Sequence, residues 1–301
     1  MVAKNTDQYI GQAIESILSL SYQDWDLIIV DDHSDDTTFR IAQKYGSKDD
    51  RIKPFKNPGE GKVIGLNFGY ANSTGDVIKC IDSDDVLSDN FDDHVGTMLN
   101  NDNTCHDANI VNQDLRKVAT YCVNTSILSM STDAVIENIV ALPKWTWSFN
   151  RDLAKCVFPI PESLPFEDVW FSFIIKINTE KIIHINEPLY LYRQHKNQTY
   201  GGLLNFDFEV VQFRAERILK LIDFLKKNSV RLLGKYYHFD HGKRFYELLA
   251  QDNIGINTIL TSKLAIKDKI KLLLERKLSF FLPLAIRLKW KYDNYAEKKS
   301  K

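Results

Sequence analysis

Four consecutive apolar residues, Leu27-Ile28-Ile29-Val30, run straight into the polar series Asp31-Asp32-His33-Ser34-Asp35-Asp36. A strand that is apolar on both faces needs cover on both faces, which a parallel sheet packed between helices supplies. The flanking pattern agrees. Ile10, Ala13, Ile14, Ile17 and Leu18 recur at helical spacing, predicting a helix over residues 7–20, with Asn5-Thr6-Asp7 placed to cap its free amides. A second strand is predicted near Arg51–Phe55, a helix from about Val63 to Ala71 that ends at Asn72-Ser73-Thr74-Gly75, and a third strand over Asp76–Ile81. Residues 5–85 therefore read as successive βα units, and the expected fold class is α/β.

Both acidic clusters fall on one edge of that sheet. Asp31 to Asp36 follow one strand and Asp82-Ser83-Asp84-Asp85 follow another, so each cluster lies at a strand's C-terminal end, where open parallel sheets bind ligands. Carboxylates alternating on such a turn can converge on a hard divalent cation that bridges protein acids to substrate phosphates, although a solvated turn or a helix cap has the same composition. Asp31 and Asp32 can accept hydrogen bonds from a nucleobase imide or ribose hydroxyls, while Ser34 to Thr37 can cap the next helix. The net charge of −1, from 39 basic and 40 acidic residues, gives no global field for nucleic acid, and no nucleic-acid partner is expected.

The segments Val30-Asp31-Asp32-His33-Ser34-Asp35-Asp36-Thr37-Thr38, Asn67-Phe68-Gly69-Tyr70-Ala71-Asn72-Ser73-Thr74-Gly75-Asp76 and Ile81-Asp82-Ser83-Asp84-Asp85 together resemble the nucleotide-sugar-binding half of family 2 glycosyltransferases, which have the GT-A fold. Downstream, Phe166-Glu167-Asp168-Val169-Trp170-Phe171 is similar to that family's acidic base motif. Leu189-Tyr190-Leu191-Tyr192-Arg193-Gln194-His195-Lys196-Asn197-Gln198-Thr199 is similar to the segment that closes its donor site. The resemblance covers residues 5–200. It implies a Rossmann-like, nucleotide-diphospho-sugar transferase domain over residues 1–204, followed by a helical C-terminal region, 205–301.

By that resemblance, Asp31 and Asp32 bind the nucleoside, and Asp82 and Asp84 are the D-x-D aspartates that hold Mn²⁺ or Mg²⁺ on the diphosphate. Asp85 is a further metal ligand or supports one, His195 is a further ligand or else a surface or hydrogen-bonded core histidine, Arg193 contacts the diphosphate or pairs with a structural carboxylate, and Asp168 is the base with Glu167 as fallback or orienting neighbour. Asn67 belongs to the donor-side motif. Where the family commonly has Ala-Arg-Asn, this chain has Gly65-Leu66-Asn67, and Lys62 is expected to supply the missing positive charge. The implied activity is metal-dependent, inverting, hexosyltransferase-type transfer from a nucleotide sugar, with a UDP-sugar favoured. The acceptor would be a hydroxyl of a growing glycan or lipid-linked glycan, in bacterial surface polysaccharide synthesis. A second departure concerns the first strand: only Met1-Val2-Ala3-Lys4-Asn5 precedes the first helix, so most of it is expected to be missing. That keeps an alternative in view, a degenerate, non-catalytic nucleotide-sugar-binding module.

Outside these motifs the signals are weaker. A short helix is predicted near Thr132–Ala141 and another from Glu167-Asp168. Trp145 and Trp147 alternate, so core is expected for at least one, and a tryptophan on a loop could stack on a sugar ring. From about Phe206 the chain reads as helical, with Val210, Val211, Arg214, Ile218, Leu221, Ile222 and Leu225 on one face. Residues 263–301 hold 12 Lys or Arg against 4 Asp or Glu, around Leu278-Ser279-Phe280-Phe281-Leu282-Pro283-Leu284-Ala285-Ile286. That stretch is too short to span a bilayer but suits contact with an anionic membrane surface. Four isolated cysteines form no zinc motif and suggest a reducing compartment, so the expected location is cytoplasmic, peripheral at the inner membrane.

Overall fold

The structure is a computed structural model that describes residues 1–195, 198 and 207–277. Two parallel pairings open the chain. The strands Val2–Ala3 (β1), Leu27–Asp31 (β2) and Ile52–Lys56 (β3) form a parallel sheet in the order β1-β2-β3, and every residue of β2 is buried. The helices Ile10–Leu18 (α1), Thr38–Gly46 (α2) and Lys62–Ala71 (α3) follow these strands in turn, giving the βα alternation that the apolar run requires. Ile10, Ala13, Ile14 and Ile17 are the buried face of α1. Ile14 is fully buried, and its truncation to Ala should cost about 2–5 kcal/mol.

Val2 and Ala3 pair with Val30 and Asp31 of β2, while Val2 also bridges to Asp82. They therefore stand between β2 and the second acidic turn. Gly65 of α3 packs directly on them, since an added Cβ would lie 3.0 Å from Val2 Cγ2. The predicted cap of α1 is not formed. Tyr9 is the N-cap residue and makes no side-chain cap; instead the Thr6 carbonyl accepts the Tyr9 and Ile10 amides, while Thr6 Oγ1 donates to Ser83 Oγ at 3.0 Å. The tertiary partner wins the hydroxyl.

Val77–Lys79 (β4) and Val86–Leu87 (β5) flank the second acidic turn, followed by Val95–Leu99 (α4), Asn103–Asn112 (β6) and Lys117–Tyr121 (β7). Next come Thr125–Ser129 (α5), Thr132–Glu137 (α6), Trp147–Asn150 (β8), Arg151–Val157 (α7), Glu167–Asn178 (α8) and Ile183–Gln194 (β9). The strands of this half form a sheet of order β4-β8-β6-β9-β5, with β7 paired to β6. Helix α6 stops short of the predicted Ala141, capped by Ser131 at its start and followed by Ile139 at φ 52°. Trp145 and Trp147 are both core: Trp145 stacks on Tyr190 with centroids 4.9 Å apart, and Trp147 is 1% exposed.

Two compact units are formed, Met1–Glu162 with Glu167–Arg193, and Ser163–Phe166 with Gln194–Lys301. The second is helical over the described residues: Phe208–Leu233 (α9), Asp240–Ala250 (α10), Ile256–Thr261 (α11) and Ile266–Lys277 (α12), around a core that includes Val211, Ala215, Phe245, Leu248, Ile259 and Leu272. The predicted apolar stretch Leu278–Ile286 lies outside the described residues. Among the described residues, no helix is long and apolar enough to cross a membrane.

Candidate functional site

The first acidic cluster is held mostly by its own neighbourhood. Asp32 Oδ1 accepts Asn57 Nδ2 at 2.7 Å and the Gly61 amide at 2.8 Å, with Lys4 3.9 Å from Oδ2. Gly61 makes this contact at φ 97°, a conformation that side chains disfavour, and then opens α3. Asp31 Oδ2 pairs with Lys56 at 2.7 Å and accepts the Ser34 amide, whereas its buried Oδ1 has no hydrogen-bond partner among the described residues. A buried acceptor left in that state is uncommon in folded proteins and suits an N–H or O–H donor from a ligand.

The second cluster is held by distant residues. The turn after β4 is fixed by the Asp82 amide donating to Tyr190 Oη at 2.9 Å and by the bridge to Val2. Asp82 Oδ1 takes two ammonium groups, Lys144 Nζ at 2.5 Å and Lys62 Nζ at 3.2 Å. Burial raises the Asp82 carboxyl, but these two lysines outweigh it and hold it well below the usual carboxylate range. Its Oδ2 has no hydrogen-bond or ion-pair partner among the described residues.

Lys62, at the first turn of α3, also reaches Glu167 Oε1 at 3.2 Å. Glu167 and Asp168 start α8, where negative charge meets the free amides of a helix N-terminus. Asp168 Oδ1 accepts the Lys144 amide at 2.7 Å. Burial, then the Glu167 charge, push the Asp168 carboxyl up to about 6, against the pull of Lys144 and Lys62. Burial raises Glu167 as well, but Lys62 and Lys144 bring it below its ordinary value. Two neighbouring carboxyls are thus driven apart, one acidic and one poised near neutrality.

The remaining predicted residues take different places. Asp85 is fully buried, its Oδ1 accepting the Arg193 amide at 2.7 Å, and burial with the Asp84 and Asp82 charges pushes its carboxyl well above the usual range. Arg193 is 1% exposed; its guanidinium donates to the Asp84 carbonyl, the Gln113 carbonyl and Gln12 Oε1, tying β9 to the acidic turn. Asn67 closes a two-way pair with the Ile160 backbone, donating to its carbonyl at 2.8 Å and accepting its amide at 2.7 Å. His195 directly follows β9 and belongs to the other compact unit. Among the described residues, no group of three or more His, Cys, Asp and Glu side chains converges as a metal cluster.

Lys144 was not singled out by its sequence, which offers only Pro143-Lys144-Trp145 in an irregular stretch. It is 2% exposed and touches both Asp82 and Asp168.

Parallel strands ending in acids, an antiparallel second half and an acidic helix start facing them define a GT-A glycosyltransferase fold, here with a helical C-terminal region. Residues 1–121 match the Glycosyl transferase family 2 model. It is 25% identical over 224 residues to glycosyltransferase GlyG of Streptococcus pneumoniae serotype 4, covering 68% of this chain and 72% of that protein. The S. aureus TarS 1–349 structure, in complex with UDP-GlcNAc, superposes at a TM-score of 0.56 with 17% identity, covering 91% of this chain and 85% of that one. The mannosyltransferase PcManGT of Pyrobaculum calidifontis, in complex with GDP-Man and Mn²⁺, gives 0.54 with 14% identity, covering 96% and 76%.

Proposed function

We propose that this chain is a metal-dependent, inverting glycosyltransferase that moves a hexosyl-type sugar from a nucleotide sugar, with a UDP-sugar favoured, to a hydroxyl of a growing glycan or lipid-linked glycan in bacterial surface polysaccharide synthesis. The observation that carries this reading is that Lys144 sets Asp168 beside Asp82, its amide donating to Asp168 Oδ1 at 2.7 Å and its ammonium to Asp82 Oδ1 at 2.5 Å, while burial and the Glu167 charge raise the Asp168 carboxyl to about 6. A base with a pKa near the working pH removes a hydroxyl proton most effectively. Nucleotide-sugar complexes of TarS and PcManGT, which share the fold, support the donor class.

The donor set fits a hard cation. Asp82 keeps one ionised oxygen without a partner among the described residues, and Asp84 lies two residues on; one or two carboxylates plus substrate phosphates are a common Mg²⁺ set. Asp82 and Asp84 would hold the ion, with Asp85 as a candidate additional ligand. When bound, such an ion supplies positive charge to the departing diphosphate. Asp31 and Asp32 receive the nucleoside, and Lys62, with a side chain 42% exposed, reaches the phosphates. Asp168 takes the proton of the acceptor hydroxyl, whose oxygen bonds to the anomeric carbon as the bond from that carbon to the diphosphate oxygen breaks. One displacement from the opposite face inverts the configuration.

The helical unit supports peripheral contact with an anionic cytoplasmic membrane surface. Ile266, Ile270 and Leu274 on α12 are exposed at helical spacing, with Ile256 and Leu260 exposed on α11, and Lys263, Lys267, Lys269 and Lys271 are interspersed. That contact would suit a lipid-linked acceptor. We take residues 1–204 as the transferase domain and 205–301 as this helical region.

The test is thermal unfolding with UDP, GDP and dTDP, each with and without Mn²⁺, followed by turnover of the matching nucleotide sugars. A ligand at about 100 times its dissociation constant adds about 2.7 kcal/mol. A Mn²⁺-dependent rise in melting temperature with one nucleotide, absent in Asp84→Ala, is expected. Binding without turnover would favour the non-catalytic module, and no shift with any nucleotide would contradict both readings.

A further inference from the structure

We propose that Lys144 is a positioning residue that fixes the spacing between the donor-side carboxylate Asp82 and the base Asp168. The inference rests on the roles proposed above for those two aspartates. Its basis is that a single buried residue holds both: the Lys144 ammonium sits on Asp82 Oδ1 at 2.5 Å, and its amide is bound by Asp168 Oδ1 at 2.7 Å. The two lysines on Asp82 differ in reach. The Lys62 side chain is 42% exposed and open to an arriving phosphate, whereas that of Lys144 is 3% exposed, so its charge is committed to Asp82.

The turn that carries Lys144 is anchored from beneath. Lys79 of β4, half-buried, donates to the Trp145 carbonyl and more distantly to the Trp147 carbonyl, and to His106 Nε2 at 2.6 Å. His106 Nδ1 donates in turn to the Asp107 carbonyl, which fixes its tautomer. Trp145 is stacked on Tyr190, whose hydroxyl receives the Asp82 amide. One path from β4 through Lys79 to residues 144–147, and a second from Trp145 through Tyr190 to Asp82, leave the Lys144 backbone little room to move. Lys62 completes a ring, joining Asp82 to Glu167 beside Asp168. The charged and titratable groups facing Asp168 are Glu167 on its own helix, Lys62 on α3, Lys144 on its turn and Tyr121 on β7.

The test compares wild type with Lys144→Met, Lys144→Gln and Lys144→Arg. Three quantities are read: UDP affinity with Mn²⁺, the pH profile of kcat with the nucleotide sugar that wild type turns over, and the Asp168 carboxyl titration by ¹³C NMR, assigned by its loss in Asp168→Asn. The neutral variants should lose at least tenfold in kcat and at least threefold in UDP affinity. The Asp168 midpoint should move above about 6, while Lys144→Arg keeps it near the wild-type value. Lys144→Gln, which keeps a hydrogen-bond donor, serves if Lys144→Met does not fold. A neutral variant that melts lower yet keeps the wild-type kcat, UDP affinity and Asp168 midpoint would reduce Lys144 to a structural residue and overturn the proposal. Failure of the transferase reading is distinct: wild type itself would then neither bind a nucleotide nor turn over a donor, and the NMR midpoint would still decide whether Lys144 links the two carboxyls.

Discussion

The two acidic turns look alike in sequence and are stabilised in opposite ways. Asp32 and the Oδ2 of Asp31 are held by neighbours within about one βα unit, with exposed Lys56 and Lys4 as their cations. Asp82 is satisfied by Lys144, 62 residues away and almost wholly buried, and by Lys62 from another helix. The first turn is therefore a self-contained cradle whose unpaired Asp31 Oδ1 awaits a donor. The second is a junction where four chain segments meet, so a change there spreads to Asp168.

The largest effect should come from breaking the junction. Asp82→Ala strands the buried Lys144 ammonium and should destabilise the protein by about 3–5 kcal/mol, measured by urea unfolding at pH 7. Because the Asp82 carboxyl is depressed on folding, wild type holds that stability above about pH 4 and loses it as pH falls further. A loss under about 1 kcal/mol would mean that the junction is no more cohesive than the cradle.

In the cradle, Asp32→Ala leaves the Gly61 N–H without its acceptor and the Asn57 amide with the Gly61 carbonyl alone, and should cost about 1–3 kcal/mol by the same measurement, with weaker nucleotide affinity and little change in the pH dependence of kcat. Across the junction, kcat should fall as pH drops through about 6, since the Asp168 carboxyl must be ionised to act as a base. A flat profile between pH 5 and 8 would remove Asp168 from that role. The smallest effect is expected for Lys4→Met, which removes an exposed ammonium 3.9 Å from Asp32 and should cost less than about 1 kcal/mol.

The same contrast explains what the sequence disclosed. Strand β2 and its acids were legible because an apolar run and the polar residues after it are local signals, and the α1 and α3 periodicities are local as well. The Asp82 turn and the Glu167-Asp168 helix start could be found as motifs for the same reason. Lys144 could not, because neither its burial nor its contacts leave a periodic trace: a lysine between Pro143 and Trp145 has nothing in its neighbours to set it apart from a surface residue. Arg193 shows the converse. Its place in a motif suggests a phosphate contact, yet its guanidinium is occupied by the Asp84 and Gln113 carbonyls and Gln12, which only the folded chain brings together. The Asn5-Thr6-Asp7 cap failed on similar grounds, since Ser83, far along the chain, competes for the Thr6 hydroxyl.

The most direct measurement of the proposed division of labour is a paired one: UDP binding with Mn²⁺ by calorimetry and sugar transfer by product formation, both on Asp84→Ala and on Asp168→Asn. Asp84→Ala should lose Mn²⁺-dependent binding. Asp168→Asn should bind within about threefold of wild type and lose transfer by about 10²–10⁴-fold, the range expected when a general base is removed. Equal loss of binding in both variants, or transfer surviving in Asp168→Asn, would contradict the separation of donor binding at the acidic turn from proton removal at the helix start.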